Sequence, residues 1–240
     1  MKALLLAAGL GTRLRPITDA IPKCLVPIHG RPLLDYWLQM LSDAGVGPLL
    51  INLHHMADHV VNYLDHCPFS HTVSTVYEGD LLGTAGTLLK NRDFFADEAF
   101  MLIHADNLSR FDVKAFIRRH RERPEQCEIT MMTFDTDAPE SCGIVELDED
   151  GVVKAFHEKK CDPPGYLANG AVYILEPSIL EHLASLGKET IDFSTEVLPQ
   201  YLSRIHTFKN DQYHRDIGTV RAYQKALQET ENWEWPESRN

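Results

Sequence analysis

Long hydrophobic runs are missing from this sequence. The longest apolar stretch is far shorter than the roughly 18 residues that a membrane-spanning helix needs. The first residues, Met1 and Lys2, lead directly into an apolar strand, without the small-residue cleavage site of a signal peptide. We therefore expect a cytoplasmic protein without a membrane partner.

Cysteine is scarce and follows no recognisable pattern. The chain has 5 cysteines, an odd number, and no C-x-x-C pair, which argues against a disulfide framework and a thiolate zinc site. His54, His55 and His59 fall close together, but no glutamate completes the H-E-x-x-H pattern of a zinc protease. We interpret these histidines as surface or helix-start residues.

Positive charge is also in short supply. Lys and Arg number 23 against 35 Asp and Glu, so the formal net charge is −12 at pH 7. A chain this acidic repels nucleic acid unless it has a strong basic face. The one basic run, residues 118–123, lies late in a predicted helix, where cations interact favourably with the helix C-terminus. We therefore predict no nucleic-acid partner.

Two familiar phosphate-binding loops are absent. In the dinucleotide motif G-x-G-x-x-G a third glycine lets a helix pack closely on the first strand, but Leu14 stands at that position here. The Walker motif requires G-x-x-x-x-G-K-[ST], which no segment of the chain supplies. Neither a dinucleotide site of that kind nor a P-loop is predicted.

The sequence does have a glycine-rich loop directly after an apolar strand at residues 3–8. Gly9 and Gly11 allow the chain to turn with positive φ and to present backbone N–H groups without side chains in the way. This arrangement suits a nucleoside triphosphate, although two glycines alone could simply form a tight strand-to-helix turn. Three cations that could meet phosphate oxygens follow the loop: Arg13, Arg15 and Lys23.

Strand-like and helix-like segments alternate in the first part of the chain, which implies right-handed crossovers and a mostly parallel sheet. There the patterns predict strands at 3–8, 48–53, 72–78 and 99–104, and helices from Leu33 to Gly45, at 56–65 and at 84–91. Later patterns predict strands at 127–134, 142–147, 152–158, 168–174 and 205–208, a hairpin turn at 148–151, and helices at 177–185, 193–203 and 219–229. We predict an α/β fold: a Rossmann-like, mostly parallel mixed sheet with flanking helices, in a single domain over residues 1–240.

The loop pattern G-x-G-T-R-L-x-P, followed by P-K-x-L-x-P, resembles the sugar-1-phosphate nucleotidyltransferases. The resemblance covers about residues 1–228 and implies the nucleotide-diphospho-sugar transferase fold, which is GT-A-like. It continues in order through further matching positions: Gly83-Thr84-Ala85-Gly86, Asp106, Gly143, Glu158-Lys159, Asn169-Gly170, Glu196 and Asp216.

This resemblance implies roles for residues near the nucleotide. Arg13 would grip the β and γ phosphates and Lys23 would contact the phosphate side of the site, which makes both catalytic candidates. The segment Gly83-Thr84-Ala85-Gly86 would contact the base, although a simple loop at the start of a helix explains its small residues as well. The implied nucleotide-binding residues are Leu6, Ala8, Gly9, Gly11, Thr12, Gly83, Gly86 and Asp106.

Two aspartates are candidate ligands of Mg²⁺. Asp106 comes just after a buried strand, and Asp216 precedes the last predicted helix. Magnesium prefers one or two carboxylates together with phosphate oxygens and water, and the resemblance implies that the fold brings these two together. From the residues alone, Asp106 could equally be a turn residue and Asp216 a helix cap.

A second group of positions would bind the sugar phosphate. The resemblance implies that Glu158 contacts the sugar hydroxyls and that Lys159 contacts the phosphate of the sugar. An exposed Glu-Lys pair, however, is usually only a surface ion pair. Two departures from the family pattern, Ala105 and Lys160, put substrate choice in doubt. The implied sugar-side residues are Gly143, Glu158, Lys159, Asn169 and Glu196.

The resemblance implies an enzyme that converts a nucleoside triphosphate and a sugar 1-phosphate into a nucleotide sugar and pyrophosphate. The chain is similar to small bacterial mannose- or heptose-1-phosphate guanylyltransferases, which implies a role in nucleotide-sugar biosynthesis for cell-surface polysaccharide. Uridylyl or thymidylyl transfer to a glucose-type or N-acetylmuramate 1-phosphate stays open. A catalytically silent nucleotide-sugar sensor is the alternative of another class, and both a monomer and a homodimer are possible.

Overall fold

The computed structural model describes residues 1–95 and 98–234. Its strands, in chain order, are β1 (Ala3–Leu6), β2 (Pro27–Ile28), β3 (Arg31–Pro32), β4 (Leu49–Leu53), β5 (Val73–Tyr77), β6 (Phe100–His104), β7 (Asn107–Arg110), β8 (Ile129–Asp135), β9 (Gly143–Leu147), β10 (Val153–Glu158), β11 (Leu167–Leu175), β12 (Ile205–Lys209) and β13 (Tyr213–Asp216). Its α-helices are α1 (Leu33–Asp43), α2 (Ala57–His66), α3 (Gly83–Lys90), α4 (Val113–Arg121), α5 (Ser178–Ser185) and α6 (Val220–Glu229). The α/β fold class is confirmed.

The chain divides into two compact units. Unit 1 comprises residues 1–80, 104–110 and 213–240, and unit 2 comprises residues 81–103 and 111–212. The prediction of a single domain over residues 1–240 stays a prediction. Within the part of the chain that the structure describes, no helix is both long and apolar enough to cross a membrane.

Unit 1 contains a parallel ladder of β1, β4 and β5. Every residue of β1 and β4 is buried. This is expected for a parallel sheet that is covered on both faces, because such strands are nearly continuous apolar runs in the sequence. An apolar cluster packs in this unit around the helix α1 and the residues near the glycine-rich loop. Its buried members are Leu14, Val26, Ile28, Leu33, Tyr36, Leu108, Ile217 and Ala226.

Unit 2 is built mostly from antiparallel pairs. β11 pairs with β6, β8 and β9, while β12 adds to β8 in the parallel sense. β9 and β10 are antiparallel, and the predicted turn between them is confirmed. Asp148 Oδ1 accepts the N–H groups of Asp150 and Val152, and Gly151 adopts a positive φ of 77°.

One predicted helix is wrong. Instead of a single helix over 193–203, the chain forms a short π-helical turn at Phe193–Val197 and a 3-10 turn at Leu198–Tyr201. Pro199 explains the change, because proline has no N–H to donate along a helix and its ring crowds the preceding turn. The sequence patterns predict none of the four short strands β2, β3, β7 and β13.

A buried histidine lies in the interior of unit 2. His120 is 2% exposed, and its Nδ1 lies 2.7 Å from Thr130 Oγ1 while its Nε2 lies 3.0 Å from Glu176 Oε1. Burial, and then the charges of Arg123 and His206, lower the pKa of His120 from 6.5 to about 3. The folded protein therefore holds this imidazole neutral at mildly acidic pH.

Replacing this histidine should change the acid sensitivity of folding. The unfolded chain protonates His120 below about pH 6.5, but the folded chain does so only near pH 3. The free energy of unfolding should therefore fall as pH decreases from about 6.5 toward 3, by at most about 1.4 kcal/mol per pH unit for this one proton. Urea unfolding at pH 7 and pH 5 should show a smaller loss in His120→Gln than in the wild type. The exposed-site control His59→Gln should keep the wild-type loss; equal losses in all three proteins would contradict the prediction.

Candidate nucleotide and metal site

The glycine-rich loop is tied down where it leaves β1. Asn52 Oδ1 accepts the N–H of Ala7 at 2.8 Å, and Leu6 O accepts the N–H of Ala105 at 3.1 Å. Asn52 is one residue before the end of β4, and Ala105 directly follows β6. The carboxyl ends of these strands therefore hold the start of the loop, at the edge of the sheet where parallel α/β folds bind ligands.

The two glycines of the loop do not behave alike. Gly11 has a φ of 64°, and a Cβ there would lie 2.8 Å from Thr18 Cγ2, so a larger residue would be strained and crowded. Thr18 Oγ1 also donates to Gly11 O at 2.7 Å. The expectation of a positive φ at Gly9 is wrong, since its φ lies outside the left-handed region, and a Cβ added there would meet no atom outside the adjoining residues within 4 Å. The turn therefore needs only one left-handed residue of this pair.

The three predicted phosphate-binding cations have different environments. The Arg13 side chain is 71% exposed, with Nη2 3.9 Å from Asp216 Oδ2. Arg15 pairs with Asp19 at 3.1 Å. Lys23, by contrast, is only 6% exposed. The structure thus separates an exposed arginine, which can reach for a ligand, from a buried lysine.

Lys23 joins the two predicted metal ligands. Its Nζ donates to Asp106 Oδ2 at 2.7 Å and to Asp216 Oδ1 at 3.1 Å. Asp216 Oδ1 also accepts the N–H of Gly218 at 2.7 Å. The two carboxylates, far apart in the sequence, therefore converge on one ammonium group. The resemblance implied that the fold brings these aspartates together, but it placed Lys23 at the phosphates of the nucleotide.

A pair of short strands brings the two aspartates together. β7 and β13 are antiparallel, with Asn107 opposite Asp216, and Asp106 directly precedes β7. Trp37 Nε1, on α1, donates to Asn107 O at 2.9 Å and so fixes the strand against the helix. This pairing is what the sequence analysis missed: each strand has four residues and carries polar side chains, without a long apolar or alternating run.

The charges in this cluster stabilise each other. Burial alone would lower the pKa of Lys23, but the carboxylates of Asp106 and Asp216 outweigh burial and raise it above its ordinary value. Burial alone would raise the pKa of Asp106, yet Lys23 and then His104 hold it below its ordinary value. Burial lowers the pKa of His214 to about 4. Lys23 and Asp106 are therefore an ion pair at neutral pH.

The donor set fits Mg²⁺ bound together with a nucleotide. In the described ranges, no group of three or more His, Cys, Asp and Glu side chains forms a metal cage. Asp106 and Asp216 supply carboxylate oxygens in one place, their side chains are 35% and 54% exposed, and the remaining ligands would be phosphate oxygens and water, the arrangement that magnesium favours. These two residues could hold the ion.

In unit 2, the segment matched to base reading packs against the chain at residues 189–191. The N–H groups of Ala85 and Gly86 both donate to Ile191 O, at 3.0 and 3.2 Å, and Thr84 Oγ1 accepts the N–H of Phe193 at 2.8 Å. A Cβ at Gly83 would lie 2.5 Å from Ile191 O. Close packing of two backbones thus already explains the small residues, while the predicted base contacts of Gly83 and Gly86 stay a prediction.

This packing makes Gly86 sensitive to the smallest substitution. A Cβ at Gly86 would lie 2.2 Å from Glu189 O, so Gly86→Ala must push the backbone apart, at a cost of about 1–3 kcal/mol. Urea unfolding should show this loss relative to wild type. Gly165→Ala is the matched control because no atom lies within 4 Å of its added Cβ; equal stability of the two variants would contradict the prediction.

The predicted sugar-side residues fall into two groups. Glu158 lies opposite Gly143 in the β9–β10 pair, Lys159 N–H donates to Cys142 O at 3.1 Å, and its Nζ lies 3.1 Å from Glu158 Oε1. Asn169 follows the point where β11 pairs with β9. Glu196 is engaged elsewhere: its carboxylate binds the side chain of Lys188 and accepts the N–H of Asp192.

The comparisons with known proteins agree on one family. A family model described as nucleotidyl transferase matches residues 2–232. The chain is 30% identical over 244 residues to a UTP–glucose-1-phosphate uridylyltransferase of Synechocystis sp., covering 95% of this chain and 62% of that protein. It is 36% identical over 188 residues to a glucose-1-phosphate thymidylyltransferase of Streptomyces griseus, covering 78% of this chain and 52% of that protein. Other curated relatives are named mannose-1-phosphate guanylyltransferase 1 and mannose-1-phosphate guanyltransferase.

The chain spans less than two thirds of the length of these curated relatives. Among solved structures, HddC from Yersinia pseudotuberculosis complexed with GMP-PN matches with a TM-score of 0.79 and 26% identity, covering 95% of this chain and 98% of that one. The shared fold is the Rossmann-like one of nucleotide-diphospho-sugar transferases, as predicted.

Proposed function

Since the chain belongs to the nucleotidyl transferase family, we propose that it transfers a nucleotidyl group from a nucleoside triphosphate to a sugar 1-phosphate. The products are a nucleotide sugar and pyrophosphate. One observation carries this proposal: Lys23, Asp106 and Asp216 converge within hydrogen-bonding distance in unit 1. Arg13 lies beside them, on the loop that follows β1.

The reaction needs no covalent intermediate. A phosphate oxygen of the sugar 1-phosphate attacks the α-phosphorus in line, and the bond from that phosphorus to the bridging oxygen of the pyrophosphate breaks. The electron pair of the broken bond leaves with the pyrophosphate. Because the attacking phosphate is already an anion, the step needs no general base. Catalysis then rests on positioning and on neutralising charge.

The residues of this chain divide that work. Arg13, which is exposed at the loop, meets the leaving pyrophosphate, and Lys23 meets the α-phosphate region. In unit 2, Lys159 meets the phosphate of the sugar, next to Glu158 for the hydroxyls. Asp106 and Asp216 would hold Mg²⁺, which would neutralise negative charge on the triphosphate.

For the substrates, we propose guanylyl transfer to mannose- or heptose-1-phosphate. Curated relatives named mannose-1-phosphate guanylyltransferase and the fold match to a protein complexed with GMP-PN support this choice. The relatives named for uridylyl and thymidylyl transfer favour the second candidate, transfer from UTP or dTTP to a glucose-type 1-phosphate.

A substrate matrix tests the proposal. Pyrophosphate release is measured for GTP, UTP, dTTP, CTP and ATP against mannose, heptose, glucose, N-acetylglucosamine and N-acetylmuramate 1-phosphates, with Mg²⁺ and with EDTA. We expect GTP with one of the first two sugars to react, and only with the metal. Release with UTP or dTTP would replace the base assignment. If folded protein that still binds a nucleotide sugar releases no pyrophosphate in any combination, a nucleotide-sugar sensor is favoured instead.

A further inference from the structure

Lys23 occupies the place between the two carboxylates that would hold the metal. We propose that Lys23 is the cation that neutralises these two carboxylates when no ligand is bound. Mg²⁺ then enters together with a triphosphate, and the ammonium group of Lys23 moves from the carboxylates to the phosphate oxygens. The inference rests on the proposed function, because it concerns the same pair of aspartates. It goes further in stating that the metal binds only together with the nucleotide.

The burial of Lys23 ties it to these partners. Its backbone lies in a 3-10 turn at Lys23–Leu25 whose residues are all buried, closed by Leu25 N–H donating to Pro22 O at 2.9 Å and Val26 N–H donating to Lys23 O at 3.2 Å. With its backbone held in this turn, the Lys23 side chain is only 6% exposed to solvent. Its ammonium would be a buried, unpaired charge if it lost both carboxylates, so it needs another anion to move to.

The local charges also indicate that the metal binds together with the nucleotide. Two cations, Lys23 and Arg13, face two carboxylates, Asp106 and Asp216, at distances between 2.7 and 3.9 Å. The four charges therefore balance without any ion. A divalent metal arriving alone would add two uncompensated positive charges beside an ammonium group. A triphosphate supplies the missing negative charge, and its oxygens can take over Lys23.

The opposite role makes the opposite prediction. If Lys23 only held the two aspartates in position for the metal, removing its side chain would loosen them and weaken metal binding. If Lys23 competes with the metal, removing its charge strengthens metal binding in the absence of nucleotide. Whether metal affinity rises or falls when the Lys23 charge is removed therefore distinguishes the competing role from the positioning role.

The test measures Mn²⁺ binding by electron paramagnetic resonance, without any nucleotide, in the wild type, Lys23→Met and Lys209→Met. We expect Lys23→Met to bind Mn²⁺ at least tenfold more tightly than the wild type. Lys209→Met should bind like the wild type; it is a matched control because Lys209 also lies between two carboxylates, Asp135 at 2.8 Å and Asp211 at 3.8 Å. Adding Asp216→Asn to Lys23→Met should abolish the gain. Equal or weaker binding by Lys23→Met overturns the proposal.

Two further measurements keep the test decisive if Lys23→Met does not fold. Lys23→Gln removes the charge but keeps a donor, and should likewise bind Mn²⁺ more tightly. In the folded wild type, the ¹⁵N signal of the Lys23 ammonium should stay unchanged with Mg²⁺ alone and shift with Mg²⁺ plus inorganic tripolyphosphate. A shift with Mg²⁺ alone overturns the proposal. Because no readout uses turnover or a particular base, failure here is distinguishable from failure of the proposed reaction.

Discussion

Asp106→Asn should lose at least about a thousandfold in kcat, the loss expected when several kcal/mol of metal-dependent charge stabilisation disappear. Asparagine keeps the size of the side chain but supplies only a neutral oxygen. It therefore weakens the metal site and also removes one of the two carboxylates that Lys23 contacts. Steady-state pyrophosphate release, at saturating Mg²⁺ and substrates, measures the effect.

Two observations make this result specific. Asp93→Asn removes the same charge from a side chain exposed to solvent and should retain wild-type kcat. Circular dichroism should show Asp106→Asn to be folded. If Asp106→Asn keeps more than a tenth of wild-type activity, Asp106 is not a metal ligand in the reaction. If the protein is a sensor, the variant should keep its response to nucleotide sugars.

Lys159→Met should raise KM for the sugar 1-phosphate by about 10–100-fold, because a charged hydrogen bond to phosphate contributes about 1.5–3 kcal/mol. The side chain is 66% exposed and forms an ion pair with Glu158 at 3.1 Å, so the fold should tolerate the change. Initial rates at varied sugar phosphate and at varied triphosphate measure the two KM values separately.

A lysine on the strand that precedes Lys159 is the control for this variant. Lys154, on β10, is exposed, and Lys154→Met should leave both KM values as in the wild type. A rise confined to KM for the triphosphate would place Lys159 at the nucleotide instead. A rise of the same size in Lys154→Met would show a general effect of removing a positive charge from this part of unit 2.

Much of the architecture follows from local sequence. The strand β1 reads as a short apolar run that ends at glycines, and the apolar stripe of α1 recurs at helical spacing. The hairpin turn before Val152 carries an aspartate that accepts backbone N–H groups. In each case the residues that fix the conformation lie within a few positions of one another, so single-sequence patterns detect them.

Local sequence patterns do not predict the charged centre that Lys23, Asp106 and Asp216 form. The pairing of Asn107 with Asp216 depends on tertiary packing, since neither short strand has a distinctive pattern. The sequence also predicts Lys23 only as a phosphate ligand, whereas its carboxylate partners depend on the fold. At Gly86, the demand for glycine comes from the backbone of Glu189, a contact that no local rule reveals.

The long sequence separations within the charged centre bear on how it forms. Lys23 is 83 positions from Asp106 and 193 from Asp216. Loop-closure entropy grows only with the logarithm of length, so reaching the second aspartate costs less than about 1 kcal/mol more than reaching the first. The longer loop to Asp216 therefore adds little to the free energy of forming this cluster at equilibrium. A fragment that stops short of residue 216, however, has the glycine-rich loop and Lys23 but only one of the two carboxylates.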